Sequence, residues 1–140
     1  MEIVNLSHSC LRRLVDAIDS DVRCRPQALL AVIDDTSEEV VLRILAHFSQ
    51  SLREAAKAVS LGIEGGDFDL AWRACHKIAG TAELLGFEKL GIDSRHLSVL
   101  VKEGSVKSPD VVDRLAQYAA VCLEYRELIV RNCENWEQYL

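Results

Sequence analysis

Proline, glycine and aromatic side chains are scarce in this sequence. Two prolines, seven glycines and 6% aromatic residues occur among 140 residues. A loop-rich all-β fold needs glycine and proline at its many turns, so the composition argues against such a fold. The longest apolar runs are also far shorter than the roughly 20 residues that span a bilayer, so we expect no membrane insertion.

Acidic residues outnumber basic ones by 22 to 16, and the formal net charge is −6. Nucleic-acid binding depends on clustered cations near phosphates, so the sequence predicts no nucleic-acid partner. The first residues, "MEIVNLSHSCLRRL", include no basic leader followed by an apolar block. We therefore expect no signal peptide and a cytoplasmic location.

The cysteines form no recognisable framework. Five are present, an odd number, and no C-x-x-C pair occurs. Neither a disulfide scaffold nor a structural zinc site is expected, and the compartment is predicted to be reducing. Cys75 and Cys122 fall on apolar stripes, which predicts that both fill the core.

Helical periodicity dominates the rest of the sequence. Thr36, with Glu39 three residues later, forms a capping box that predicts the start of a helix. Apolar residues then recur in steps of four and three as far as "GIEGGD", at Val41, Leu45, Phe48, Leu52, Ala55 and Val59. Such spacing is typical of one buried stripe on an amphipathic helix.

Three further long helices are predicted. Asp67 can cap the first of them, which runs to about Leu85; the next ends at Gly104, and Pro109 opens the last. The last helix repeats the stripe at Val111, Leu115, Tyr118, Cys122, Tyr125 and Ile129. Because short connections favour antiparallel neighbours, we predict an all-α fold, an antiparallel up-down four-helix bundle over residues 26–140. One or two extra N-terminal helices are predicted besides the four, over residues 5–19 and, at the start of the bundle region, 26–34. Residues 1–25 form an N-terminal helix or linker.

The stretch "DLAWRACHKIAGTAELLG" places a histidine on the outer side of its helix. His76 follows Cys75 of the core stripe and so lies about 100° from that stripe, which predicts an exposed ring. Gly80 comes one turn later, although glycine inside a helix costs about 1 kcal/mol relative to alanine. Either helix packing or the approach of a partner can require that space. No Glu-x-x-His pairs occur, so no metal site is expected.

The run "HKIAGTAELLG" resembles the signature of histidine-containing phosphotransfer (HPt) domains, H-x-[LI]-K-G-[ST]-[AS]-x-x-[LIV]-G. The residues in register are His76, Ile78, Gly80, Thr81, Ala82, Leu85 and Gly86. The likeness covers about residues 28–137. It implies that His76 accepts a phosphoryl group from an aspartyl phosphate on a receiver domain and donates it to another receiver.

The resemblance assigns the remaining chemistry to the partner, a response-regulator receiver domain or a hybrid sensor kinase. The receiver supplies an acidic pocket and Mg²⁺, so this chain is expected to bind no cofactor. A neutral imidazole is a competent nucleophile near pH 7, and phosphoryl transfer needs positioning and charge stabilisation more than covalent machinery. Because the sequence has no Gly-rich loop and no P-loop, we expect a phosphoryl carrier without kinase activity, not an enzyme.

One departure from the family pattern concerns charge. The family usually has lysine three residues after the histidine, where this chain has Ala79. Either Arg73 or Lys77 supplies the cation, or phosphohistidine is less stabilised here. Arg73 is the better placed of the two, because residues three apart share a helix face whereas adjacent residues do not.

Four neighbours are candidates for docking a partner: Trp72, Ala79, Gly80 and Glu83. Ala79 and Gly80 would let a receiver's loops approach the ring, and Glu83 would meet a basic receiver residue. Trp72 would shield the ring, join the docking face or fill the core. The missing lysine also leaves a second function open: a docking module that binds a receiver or kinase domain through the same face without phosphorylation.

Overall fold

The computed structural model describes residues 6–103 and 108–140, which are helical nearly throughout. These two ranges contain no strand, and the predicted all-α class is confirmed. No described helix combines the length and apolar character needed to cross a membrane. The elements are α1 (Ser9–Asp19), α2 (Pro26–Asp35), α3 (Glu38–Gly65), α4 (Phe68–Leu84), α5 (Glu88–Lys102), α6 (Pro109–Asn132) and a 3-10 helix at Trp136–Tyr139.

Helices α3 to α6 enclose the main core. Helix α3 packs against α4 and α6, and α5 also packs against both α4 and α6, so the contacts close a ring of four helices. Helix α1 lies against α6 and α2, while α2 also contacts α3 and α4. The two N-terminal helices are therefore packed onto the four later ones.

The apolar stripes predicted from the sequence face this core. Every stripe residue of α3 and α6 is buried, and so are Cys75 and Cys122. The rings of Phe48, Phe87 and Tyr125 form an aromatic cluster, in which Phe87 lies 5.9 Å from Phe48 and 5.2 Å from Tyr125 between centroids. Each large apolar side chain removed from water contributes about 1.5–3 kcal/mol, so these stripes hold the helices together.

The cap between α2 and α3 differs from the prediction by one residue. Ser37, not Thr36, is the N-cap of α3, and its Oγ accepts a hydrogen bond from the Val40 N–H at 3.1 Å. Thr36 instead ends α2, where its hydroxyl donates to the Val32 carbonyl at 2.7 Å. Since Val40 then occupies the third helical position, Glu39 cannot complete a capping box.

Other boundaries shift slightly. Helix α1 begins at Ser9, and α6 ends at Asn132 before the short 3-10 helix. Residue 5, where the first helix was predicted to begin, and Gly104, the predicted end of the helix before Pro109, lie outside the described residues. Helix frays and cap choices of this size do not change which faces pack.

A glycine in the left-handed region closes the turn between α4 and α5. Gly86 has φ +91°, and its carbonyl accepts a hydrogen bond from the Arg25 N–H at 2.6 Å. A Cβ at this position would lie 2.5 Å from the Arg25 carbonyl oxygen. Gly86 therefore serves both the turn and the close packing of the segment before α2.

Replacing Gly86 by alanine is expected to lower the free energy of unfolding by about 2 kcal/mol or more, because strain and a backbone clash add. Gly66→Ala is the matched control, since Gly66 has φ +69° but open space around a Cβ. That variant should lose only about 1 kcal/mol. Equal losses in urea unfolding would show that the Arg25 contact is unimportant.

Candidate functional site

His76 lies on the exposed side of α4, near the middle of that helix. The opposite side of α4 is anchored in the core by Ala71, Cys75, Ile78 and Ala82, all at or near zero exposure. Because the stripe is fixed, the imidazole points out of the ring of helices. The exposed ring is as the spacing predicts.

The thiol of Cys75, the residue before His76, is buried. Burial raises the pKa of the Cys75 thiol to about 12. A thiol is a nucleophile only as the thiolate, so Cys75 stays protonated and unreactive at neutral pH. Of the two adjacent side chains, the His76 ring and not the Cys75 thiol is accessible.

Trp72 stacks on the His76 ring. The two ring centroids are 5.5 Å apart and the planes are inclined by 18°. Trp72 is half-buried and packs against the core residues, so the indole is a firm support for one side of the imidazole. Aromatic pairs prefer such separations, and the contact restricts the ring's rotation.

A cation that the sequence analysis did not identify lies on the same indole. The Nζ of Lys102, at the end of α5, is 4.9 Å from the Trp72 ring centroid. Such a position over an aromatic face is a cation–π contact. No local motif marks Lys102, because its proximity depends on how α5 packs on α4.

The two cations proposed from the sequence are placed differently. Arg73 forms an ion pair with Asp69, in which Nε lies 2.9 Å from Oδ2, and both side chains are largely exposed. Lys77 is exposed on the side of α4 that faces α3. Within residues 6–103 and 108–140, no recorded hydrogen bond or ion pair joins Arg73 or Lys77 to His76.

Gly80 is exposed and has open space around it. A Cβ built at this position meets no heavy atom within 4 Å. Packing among the described residues therefore does not require glycine here, which leaves the approach of a partner as the other explanation for its presence. One turn beyond His76, the chain offers bare helix backbone to the surroundings.

Ala79 does not add to that bare surface, contrary to the expectation. It is only 6% exposed, and it lies at the α4–α5 contact. A Cβ built on Gly91 of α5 would be 3.2 Å from the Ala79 carbonyl oxygen. The absence of a side chain on Gly91 thus permits the close approach of α5, and that approach leaves little of Ala79 exposed.

Glu83 is already engaged within the chain. Its Oε2 accepts from the Arg95 guanidinium of α5 at 2.6 Å, and about a third of its side chain is exposed. The pair links α4 to α5. Glu83 is therefore a less available partner for a basic receiver residue than the sequence suggests.

A groove between α3 and α4 lies beside the exposed face of α4. It has a volume of about 400 Å³ and combines apolar walls with basic side chains. Sequence periodicity places each residue on its own helix but does not give the register that forms the groove. The lining residues are Val40, Arg43, Ile44, His47, Phe48, Ser51, Lys77 and Thr81.

The described residues contain no group of three or more His, Cys, Asp or Glu side chains that could hold a metal ion. Comparison with protein-family models, with curated proteins and with solved structures gives no match to this chain.

Proposed function

We propose that this chain is a phosphoryl carrier of the HPt type. His76 accepts a phosphoryl group from the aspartyl phosphate of one receiver domain and donates it to the aspartate of another. The observation that carries the proposal is the exposed imidazole beside an open glycine in the middle of a helix. A nucleophile used by a visiting active site needs this combination of access and room.

The chemistry requires little of the chain itself. A neutral imidazole nitrogen attacks phosphorus, the P–N bond forms as the P–O bond to aspartate breaks, and the carboxylate remains on the receiver. The reverse sequence at a second receiver regenerates the imidazole. The resemblance places the acidic pocket and Mg²⁺ in the receiver, so this chain contributes a positioned ring and charge stabilisation.

The same proposal includes the arrangement of α3 to α6 as an antiparallel up-down bundle. Two observations support this arrangement. The helix contacts form a closed ring, and the connections from α3 to α4 and from α4 to α5 are short. Such a scaffold holds the middle of α4 rigid. Rigid support matters because misplacing reacting atoms by about 1 Å can cost roughly 100-fold in rate.

A docking module without phosphoryl transfer is the second candidate. The observation in its favour is that the position of the family's lysine is a buried alanine, Ala79. The basic groove between α3 and α4 would then hold a receiver or kinase domain by itself. Cytoplasmic receivers or a hybrid sensor kinase are the proposed partners in either case.

Phosphotransfer profiling separates the two candidates. Receiver domains of the source organism are phosphorylated separately, freed of donor and mixed with the chain. A carrier takes up label that is stable in base and lost in acid, as a phosphoramidate bond is. Stable binding of a receiver with no labelled chain at any time point would favour the docking module instead.

Replacing Gly80 by alanine is expected to separate stability from function. The free energy of unfolding should rise by up to about 1 kcal/mol, because alanine is the better helix former and meets nothing. Transfer from a receiver should slow by roughly tenfold, because the methyl group lies where the partner must approach. The rate is measured by quenching the transfer reaction at set times and counting the label on the chain.

Gly65→Ala is the matched control for that variant. Gly65 ends α3 and likewise has open space around a Cβ. Its replacement should leave the transfer rate unchanged. Transfer at the normal rate by Gly80→Ala would contradict the role of Gly80 in partner access.

A further inference from the structure

A phosphoryl group on His76 would carry about two negative charges and needs a cation nearby. The position of the family's lysine is Ala79, which is 6% exposed and occupied with helix packing. Arg73 is paired with Asp69. Lys77 lines the groove towards α3, about 100° round the helix from His76. Neither cation predicted from the sequence is therefore placed free beside the ring.

Lys102 reaches the site from a different helix. Its ammonium lies over the indole of Trp72, and that indole stacks on His76. Lys102 is exposed, and within residues 6–103 and 108–140 no carboxylate is recorded within ion-pair distance of it. Lys89, at the other end of α5, differs in being paired with Asp93 at 3.2 Å.

We propose that Lys102 is the cation that pairs with the phosphoryl group on His76, held ready on Trp72 until that group arrives. This inference rests on the proposed phosphoryl-carrier function. An exposed cation–π contact is weak, whereas an ammonium–phosphate pair is charge-assisted and stronger. The four-carbon stem of lysine lets the ammonium move from the indole to the phosphoryl oxygens.

The pair would lengthen the lifetime of phosphohistidine. In hydrolysis water attacks phosphorus, the P–N bond breaks and one water proton passes to the departing ring nitrogen, which leaves inorganic phosphate and histidine. The imidazole leaves more readily when its ring is already protonated. A cation beside the phosphoryl group makes this protonation less favourable, because the two positive charges would lie close together. Lys102 thereby offsets the phosphoryl charge, the role that the resemblance assigns to a lysine at position 79, where this chain has alanine.

The test uses chemical phosphorylation, so that no receiver is required. The full chain is treated with phosphoramidate, a small-molecule phosphoryl donor, and the decay of phosphohistidine at residue 76 is followed by mass spectrometry at pH 7. We expect Lys102→Met to shorten the half-life roughly three- to tenfold at low salt. Lys102→Arg, which keeps the charge, should retain most of the lifetime.

Lys89→Met is the matched control, since it removes the same charge from the same helix at its far end. Its half-life should equal that of the unaltered chain. Equal half-lives for Lys102→Met and the unaltered chain would overturn the proposal. Shortening by Arg73→Ala in place of Lys102→Met would overturn it in favour of Arg73.

The two proposals fail in different ways. A chain that takes no label from any receiver would refute the carrier function, while the chemically installed group would still report on Lys102. Raising the salt concentration supplies a further check. The difference between Lys102→Met and the unaltered chain should shrink as ions screen the pair.

Discussion

A chain with glutamine in place of His76 is expected to accept no phosphoryl group from any receiver. The glutamine amide is not a nucleophile, so the P–N bond cannot form. Its fold should persist, because residue 76 is exposed and its recorded ring contact is the stack on Trp72. Loss of that stack should cost no more than about 1 kcal/mol of unfolding free energy. Label uptake measures the transfer, thermal unfolding measures the stability of the fold, and receiver binding is measured on the same preparation.

His96→Gln is the matched control for this variant. His96 is also an exposed helical histidine, on α5. It should take up label at the normal rate and bind the receiver normally. Label on the His76→Gln chain at normal yield would contradict the role of His76. Loss of receiver binding in this variant would mean that the ring is also part of the docking surface.

Raising the pH above 9 is expected to destabilise the fold steeply. Burial raises the pKa of three thiols to about 12 in the folded chain, against an ordinary value of 9.0. Above pH 9 the unfolded thiols release protons that the folded ones keep, so the unfolded state binds fewer protons and stability falls as the pH rises. The three are Cys75, Cys122 and Cys133.

The expected size of the effect follows from proton linkage. Each fully buried thiol removes about 1.4 kcal/mol per pH unit once its unfolded form is ionised, or roughly 4 kcal/mol for the three. Total stabilities of domains are only about 5–15 kcal/mol. Tyr118 and Tyr125 act in the same direction above pH 10, because burial also raises the pKa of each phenol.

Urea unfolding at pH 8, 9 and 10 under reducing conditions measures this slope. The midpoint should fall progressively over the series. A variant with Cys75→Ala and Cys122→Ala should start less stable, because it leaves cavities, but should lose less per pH unit. An unchanged midpoint between pH 8 and pH 10 would contradict the burial of these thiols.

The sequence predicts well what depends on one helix at a time. The stripes of α3 and α6 identify buried residues because periodicity fixes which side of a helix faces the core. The exposure of His76 follows from the same periodicity, since it adjoins Cys75 of a buried stripe. Gly66, with φ +69°, ends α3 in the left-handed conformation that is common at helix C-termini.

The sequence does not predict which residues of different helices contact each other. Ala79 looks exposed beside His76, yet α5 covers it; Glu83 looks free, yet it pairs with Arg95. Lys102 reaches Trp72 only because α5 packs against α4 in one particular register. Periodicity within α4 contains no information about that register, so these three residues could not be placed correctly beforehand.

The cap of α3 shows a smaller limit of the same kind. Thr36 and Ser37 are neighbours and both residue types are good N-caps. The choice is made by the corner with α2, where Thr36 bonds back to Val32. Local propensity alone ranks the two nearly equally.

Localising the phosphoryl group on the unaltered chain tests the carrier role most directly. The chain is mixed with a phosphorylated receiver that it binds, digested at alkaline pH to preserve phosphohistidine, and sequenced by mass spectrometry. A phosphoryl group on the imidazole of His76 is the predicted result. A group on any other residue, or a bound receiver that leaves the chain unphosphorylated, would contradict it.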